Sequence, residues 1–412
     1  MGYKKFFEPK DNIFLIKLAK SILPLALKFI YKIEKIEIDN NDIEKLKDLK
    51  YKRVILCPNH PTALDPIIMF YLSKAIDHNF NYLAAWDIFV EEPLKRYFMQ
   101  QLGAYSIIRG TIDNDSFKTT IKLITEGKKF LVIFPEGDTC GLNDYLLPFQ
   151  PGVIQLAFWA LDELHKNNQE KINDLFIIPI AIKYKYTKTM KNEIISALKR
   201  IEEKLGLYSI ENEKKDNYER LIRISEHLLS IAEKFYNLKL EENLSFNDRL
   251  NRIKEFIINK ISTYLDIKIK PNMNLLDKVR TIFNTINSII YVDNNLETDL
   301  SEYEKKLYKE KKEELKNFYD DLHRVWKFIA VYEGYVKEDM SDERFLEIIK
   351  RIEWEIFGKE KVYGPLKVIL KIGGKINLLN YYEEYKKNKR NCIENLIKKV
   401  EDNIKEMLKK LK

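Results

Sequence analysis

Arg53-Val54-Ile55-Leu56-Cys57-Pro58-Asn59-His60-Pro61-Thr62-Ala63-Leu64-Asp65 joins an apolar run to a histidine and an aspartate five positions apart. Arg53 to Cys57 has the length and apolarity of a buried strand, Pro58 stops it, and Asp65 to Leu72 reads as the start of a helix. If the intervening residues open that helix, His60 lies at its mouth and Asp65 can reach back to the imidazole. A carboxylate on one ring nitrogen fixes the tautomer and leaves the other free to take a proton from a hydroxyl, which is the wiring of a general base. The spacing alone is weak, since one such pair arises by chance in a few chains of this composition. A second apolar run, Phe130-Leu131-Val132-Ile133-Phe134, ends in the turn Pro135-Glu136-Gly137.

Outward from these turns, strand and helix patterns alternate from about Ile36 to Lys188, as in an α/β domain. Phe80 to Trp86 reads as a strand and Pro93 to Gly103 as a helix whose Leu94, Tyr97, Phe98 and Leu102 recur at core spacing. Arg109 follows the strand Tyr105 to Ile108 beside Gly110, where a turn leaves a sheet. A guanidinium there could grip a phosphate bidentately, or simply lie at the surface. After Tyr186 the helical period takes over, with amphipathic helices expected over Lys191–Leu205, Tyr218–Leu238, Phe246–Leu265, Leu275–Val292, Leu300–Val331 and Arg344–Phe357. Strand pattern then returns from Leu366 to Leu378, and a basic helix is expected from Tyr381 to Leu411. The Glu and Lys run within Tyr303 to Glu314 is a solvated helix face.

Asp11 to Lys32 forms a candidate amphipathic helix that Pro24 would kink. Lys17, Lys20, Ser21, Pro24, Lys28 and Lys32 fall on one side, and Ile13, Phe14, Ile16, Ile22, Leu23, Leu25, Phe29 and Ile30 cover the rest. The lysines leave no run near the ~20 apolar residues that a bilayer span needs, and no secretory cleavage pattern follows. Two readings stand, an interfacial helix whose lysines meet anionic headgroups and a helix packed on the sheet.

The 412 residues allow a sizeable core and more than one domain. The three cysteines show no paired spacing, so neither a disulfide framework nor a zinc site is expected, and the five histidines show no ligand spacing, so no metal is expected. Of the formal net charge of +8, all the basic excess lies outside residues 189–362, where acids slightly outnumber bases. That distribution suits docking of an anionic bilayer, a phosphopantetheine thioester or an acidic carrier protein on the α/β part, and it argues against a helical nucleic-acid module.

Asn59-His60-x4-Asp65 and Phe134-Pro135-Glu136-Gly137 together resemble the signature of the glycerolipid acyltransferase superfamily, the enzymes related to lysophosphatidate (1-acylglycerol-3-phosphate) acyltransferase. Gly103-Ala104-Tyr105-Ser106-Ile107-Ile108-Arg109 is similar to the block that ends in an acceptor-binding arginine. Phe176-Ile177-Ile178-Pro179-Ile180-Ala181-Ile182 is similar to the proline-bearing strand of the fourth block, and Leu366 to Leu378 looks like the last strand of the catalytic domain. The resemblance implies an acyltransferase-type mixed sheet flanked by helices, assembled from residues 36–188 and 363–412. Residues 189–362 would be a large all-α insertion of unknown role, and residues 1–35 a membrane-associated segment. In one respect the chain departs from the pattern. Family members commonly continue Phe-Pro-Glu-Gly into Thr-Arg-Ser, whereas here Asp138-Thr139-Cys140 follows, so a basic phosphate ligand is missing and Asp138 would repel an anion.

The resemblance further implies transfer of a fatty acyl group from acyl-CoA or acyl-carrier protein, used as co-substrate with no resident cofactor, to a hydroxyl of a lysophospholipid or glycerol-phosphate acceptor. His60 would be the base and Asp65 its partner. Arg109, Glu136 and Gly137 would face the acceptor, and Asn59, Pro135 and Pro179 would shape the site. Backbone N–H groups at the helix start or near Gly137 could meet the oxyanion. The expected location is peripheral, on the cytoplasmic side of a membrane, with the oligomeric state open. Two other readings remain, acyl transfer to a different lipid alcohol or amine or from a phospholipid donor, and a lipid-binding scaffold with a decayed site.

Overall fold

The computed structural model describes residues 6–166, 174–239, 243–270, 272–290, 301–327 and 335–411. They form two compact units, one of residues up to 185 together with 364 onward, the other spanning Tyr186–Tyr363.

The first unit is a mixed sheet with helices against it. Its elements are α1 (Ile13–Phe29), β1 (Ile33–Ile38), α2 (Asn40–Lys47), β2 (Val54–Pro58), α3 (Asp65–Ala75), β3 (Phe80–Ala85), α4 (Trp86–Glu91), α5 (Pro93–Gln101), β4 (Ala104–Ile107), α6 (Asn114–Glu126), β5 (Phe130–Val132), α7 (Gly152–Lys166) and β6 (Phe176–Tyr186). The late segment adds β7 (Leu366–Ile372) and β8 (Ile376–Asn377). The strand order is β1-β7-β6-β2-β5-β3-β4, with β8 antiparallel to β6. Pairs β1/β7, β2/β6, β2/β5, β3/β5 and β3/β4 are parallel. Strands covered on both faces read as continuous apolar runs, and β2 and the first nine residues of β6 are buried throughout. Because β6 and β7 are neighbours in the sheet, the 186–363 segment leaves and re-enters between adjacent strands.

Several sequence expectations need correcting here. The helix after β2 starts at Asp65, so His60 precedes it by a full turn of loop; a residue before proline avoids the α region, and His60 precedes Pro61. β1 begins at Ile33, three residues inside the segment assigned to the N-terminal helix. The C-terminal basic helix is broken into α15 (Tyr382–Lys387) and α16 (Lys389–Lys410) at Asn388, whose non-helical backbone interrupts the helix and whose side chain caps α16 by accepting from the Asn391 N–H. Leu94, Tyr97 and Phe98 are not core: Leu94 is 72% exposed and the other two nearly half exposed. Instead α5 rests on the fold through its buried Gln100 and Gln101, with Gln100 Nε2 donating to the Glu8 carbonyl (2.7 Å).

α1 packs along one stripe and leaves an apolar face exposed. A narrow stripe, Ile16, Leu23 and Leu27, is buried. Lys20, expected with the solvent-facing lysines, lies on this packed side and donates to Asn79 Oδ1 (2.8 Å) and to the Ser73 carbonyl (3.1 Å). Ile13, Phe14, Ile22, Leu25, Phe29 and Ile30 remain exposed. Among the described residues no helix is long and apolar enough to cross a membrane.

The second unit contains α8 (Lys191–Leu205), α9 (Ile210–Glu213), α10 (Asn217–Phe235), α11 (Phe246–Tyr264), α12 (Leu275–Ile290), α13 (Glu302–Lys327) and α14 (Asp342–Phe357). The expected ends of two helices, at Val292 and from Leu300 to Val331, lie in part outside the described residues. Ile257, Ile261, Val279, Ile286, Leu315 and Leu322 share one apolar core. Ser301 and Glu304 form a reciprocal capping box at the start of α13. Glu202 of α8 is fully buried and accepts from Arg220, also buried, at 2.7 Å and from Arg223 at 2.8 Å. Removing one charge of a buried pair leaves the other uncompensated, at about 3–5 kcal/mol. Glu202→Gln is therefore expected to lower the free energy of unfolding in urea by that amount, with a lower midpoint, read by circular dichroism. A midpoint equal to the wild type's would show that the arginines find other partners.

Candidate active site

In an open parallel sheet, ligands gather at the carboxyl ends of the strands, where the loops diverge. Here β2, β5, β3 and β4 are consecutive neighbours. Their carboxyl ends deliver His60, Glu136, Asp87 and Arg109 respectively.

The turn after β2 places the His60 and Asp65 side chains together: His60 Nδ1 lies 2.8 Å from Asp65 Oδ2. Asp65 is fully buried, while His60 keeps 14% of its side chain exposed. The carboxylate also accepts from the Thr62 N–H (2.8 Å) and from the Tyr184 hydroxyl (2.6 Å), and Thr62 Oγ1 stands 3.1 Å from its second oxygen. A buried charge with every oxygen hydrogen-bonded is held in one position. Burial first, and then the negative charge of Asp65, pushes the Tyr184 hydroxyl well above its ordinary pKa, so it stays a donor. The His60 ring stacks on Phe134, with centroids 4.0 Å apart. This leaves Nε2 as the nitrogen able to accept a proton.

Glu136 sets the place of the histidine. Its two oxygens accept from the His60 N–H (2.6 Å) and the Leu147 N–H (2.7 Å), and the residue is fully buried. Burial, with Asp65 and Glu401 nearby, pushes its carboxyl up to about 8 against the opposing effect of the two N–H donors. Gly137 closes the turn at φ +75°, a conformation glycine adopts without strain, and its N–H donates to the Phe134 carbonyl (3.0 Å). Pro135 is buried, and its carbonyl accepts from the Gln150 N–H (2.7 Å).

Asn59 extends the β2/β6 ladder beyond the last strand residue. Its side-chain amide donates to the Ile182 carbonyl (3.1 Å) and accepts from the Ile182 N–H (2.6 Å). Asn143 pairs in the same way with Tyr184, at 2.7 and 2.9 Å. The two asparagines thus hold the end of β6 that carries Tyr184. Pro179 stands deeper in the sheet, opposite Cys57, with its carbonyl accepting from the Gly373 N–H (2.8 Å).

Arg109 is engaged by carboxylates. Its Nη2 lies 3.2 Å from both oxygens of Asp87, while Nη1 donates to Asp138 and to the Gly137 carbonyl (3.0 Å). Of the backbone N–H groups expected to meet an oxyanion, those of Asp65 and Gly137 already donate within their own turns, to Thr62 and Phe134. Sequence reasoning missed Thr62, Asp87, Asn143 and Tyr184. Only Thr62 could have been found, from its place inside the His60 turn; the others reach the site from distant segments. Among the described residues no group of three or more His, Cys, Asp or Glu side chains could hold a metal ion.

Residues 35–183 match the model of the Acyltransferase family. This part of the chain is an acyltransferase domain and belongs with the glycerolipid acyltransferases, whose members transfer acyl groups in lipid metabolism. No curated protein matches the chain.

The Glu136 carboxyl yields a signed pH dependence. Its folded pKa, about 8, exceeds the ordinary 4.5, so its contribution to stability is complete below 4.5 and is lost as pH rises to 8. The wild type should lose a few kcal/mol relative to Glu136→Gln over that window. Melting temperatures of the two proteins from pH 5 to 9 check this, and parallel curves would refute it.

Proposed function

We propose that this enzyme transfers a fatty acyl group from a thioester, acyl-CoA or acyl-carrier protein, to a hydroxyl of a glycerolipid-type acceptor at a membrane surface. The observation that carries the reading is the 2.8 Å contact of His60 Nδ1 with the buried Asp65 carboxylate. The acceptor O–H gives its proton to His60 Nε2 as the oxygen attacks the thioester carbonyl. The tetrahedral intermediate then breaks its C–S bond, and the imidazolium returns the proton to the departing sulfur. Asp65 orients the ring and stabilises its cationic form, and Tyr184 and Thr62 orient Asp65. The nucleophile belongs to the acceptor, so no covalent enzyme intermediate is required.

A peripheral location on the cytoplasmic side of a membrane follows from the same reading. Exposed apolar side chains of α1 and α5, with Lys17 and Lys28 exposed and Lys95 and Arg96 on α5, suit insertion among anionic headgroups. The 2.8 Å contact of His60 Nδ1 with Asp65 keeps both members of the proposed pair in place, which weighs against a decayed lipid-binding scaffold.

Transfer of radiolabelled palmitate from CoA and carrier-protein thioesters to a panel of lipid alcohols tests the reading. His60→Ala should lower kcat by at least ~10³-fold and Asp65→Asn by ~10²–10⁴-fold. Transfer by His60→Ala at a tenth of the wild-type rate would sink it. Tyr184→Phe should lower kcat by roughly tenfold with KM little changed, as for a residue acting through Asp65; a change confined to KM would contradict that role.

A further inference from the structure

The first turn of α4, directly after β3, meets the turns after β4 and β5 around one guanidinium. Arg109 carries one positive charge and is flanked by two carboxylates, Asp87 at 3.2 Å and Asp138 in direct contact. All three side chains are largely but not wholly buried. The cluster is tied to the proposed base through two consecutive residues: Gly137 offers its carbonyl to Arg109, and Glu136 accepts the His60 backbone N–H. A phosphomonoester carries close to two negative charges. To reach Arg109 it would compete with both carboxylates for the guanidinium and lie beside them among partly buried side chains, where like-charge repulsion is strong. With the cluster's formal charges summing to one negative, a dianion is the least favoured polar end it can face.

We infer that Asp87 and Asp138 are specificity-determining residues that exclude phosphomonoester acceptors, and that the enzyme acylates a lipid alcohol with no free phosphate monoester. Arg109 then acts as a strut between the three turns. The inference rests on the acyl-transfer reading above for the identity of the acceptor site, but its test does not depend on turnover.

Binding is measured by calorimetry on the full-length protein with no thioester present, using short-chain monoacylglycerol and lysophosphatidate of the same acyl length below their micelle concentrations. Monoacylglycerol should bind at least ~10-fold more tightly, since each tenfold corresponds to a modest charge penalty. In the Asp87→Asn/Asp138→Asn protein, with folding verified by its melting curve, lysophosphatidate should gain on monoacylglycerol by at least ~10-fold. The comparison of the two ligands on the wild type stands even if the double variant does not fold. Equal or tighter binding of lysophosphatidate to the wild type overturns the inference, and so does binding of neither ligand. The transfer assay is judged separately: discrimination in binding without any acyl transfer would defeat the proposed reaction and leave the selectivity of this cluster in place.

Discussion

Glu136 lies fully buried with one oxygen on the His60 N–H and the other on the Leu147 N–H. One side chain thereby joins three pieces of backbone: the turn after β2, the turn after β5 and the loop that leads into α7. Burial raises the cost of its charge, and the two donors offset only part of that cost, and only while both segments stay in place. The position of the imidazole follows from this constraint, because the backbone of His60 is fixed by Glu136 and its ring by Asp65. Phe134, two residues before Glu136, supplies the surface on which the ring stacks. Removing Glu136 would therefore disturb the site through backbone geometry, with no need for a chemical role of its own.

β6 has a comparable part on the other side of the sheet. It is the longest strand of the domain, it lies beside β2, and it continues past the end of β2 to bring Tyr184 under Asp65. Beyond the reach of β2 its backbone would lack partners on that edge, and buried backbone groups need them. The amide side chains of Asn59 and Asn143 take the place of strand residues by pairing with Ile182 and Tyr184. Asn59, next to the proposed base, thus acts through the ladder that holds the Asp65 partner.

The apolar faces of α1 and α5 show how similar sequence patterns can end differently. Helical spacing places Leu94, Tyr97 and Phe98 on one face of α5, and a core would ordinarily cover such a face. Yet the chain uses two glutamines to seat the helix, with Lys10 and Asn12 backbone N–H groups donating to the Gln100 and Gln101 carbonyls. Periodicity reports that a face is apolar; it does not report what covers it. The same holds for Lys20, which the helical wheel groups with solvent-facing lysines and which the fold directs to Asn79 and Ser73.

Local patterns carried most of what the sequence by itself determined: the apolar runs that become β2, β5 and β6, the polar turns that end the first two, the return of strand pattern at β7, and the pairing of His60 with Asp65. These depend on residues a few positions apart, where side-chain period and proline placement act directly on the backbone. Tertiary structure alone decided which turns would meet. It brought Glu136 to His60 across 76 positions and Tyr184 to Asp65 across 119, and it placed Asp87 and Asp138 on Arg109, so that an arginine legible as an anion ligand is held by two carboxylates. The reason is physical: spacing along a strand or helix is set by local geometry, whereas contacts between strand ends are set by the order of strands in the sheet, which no short stretch of sequence encodes.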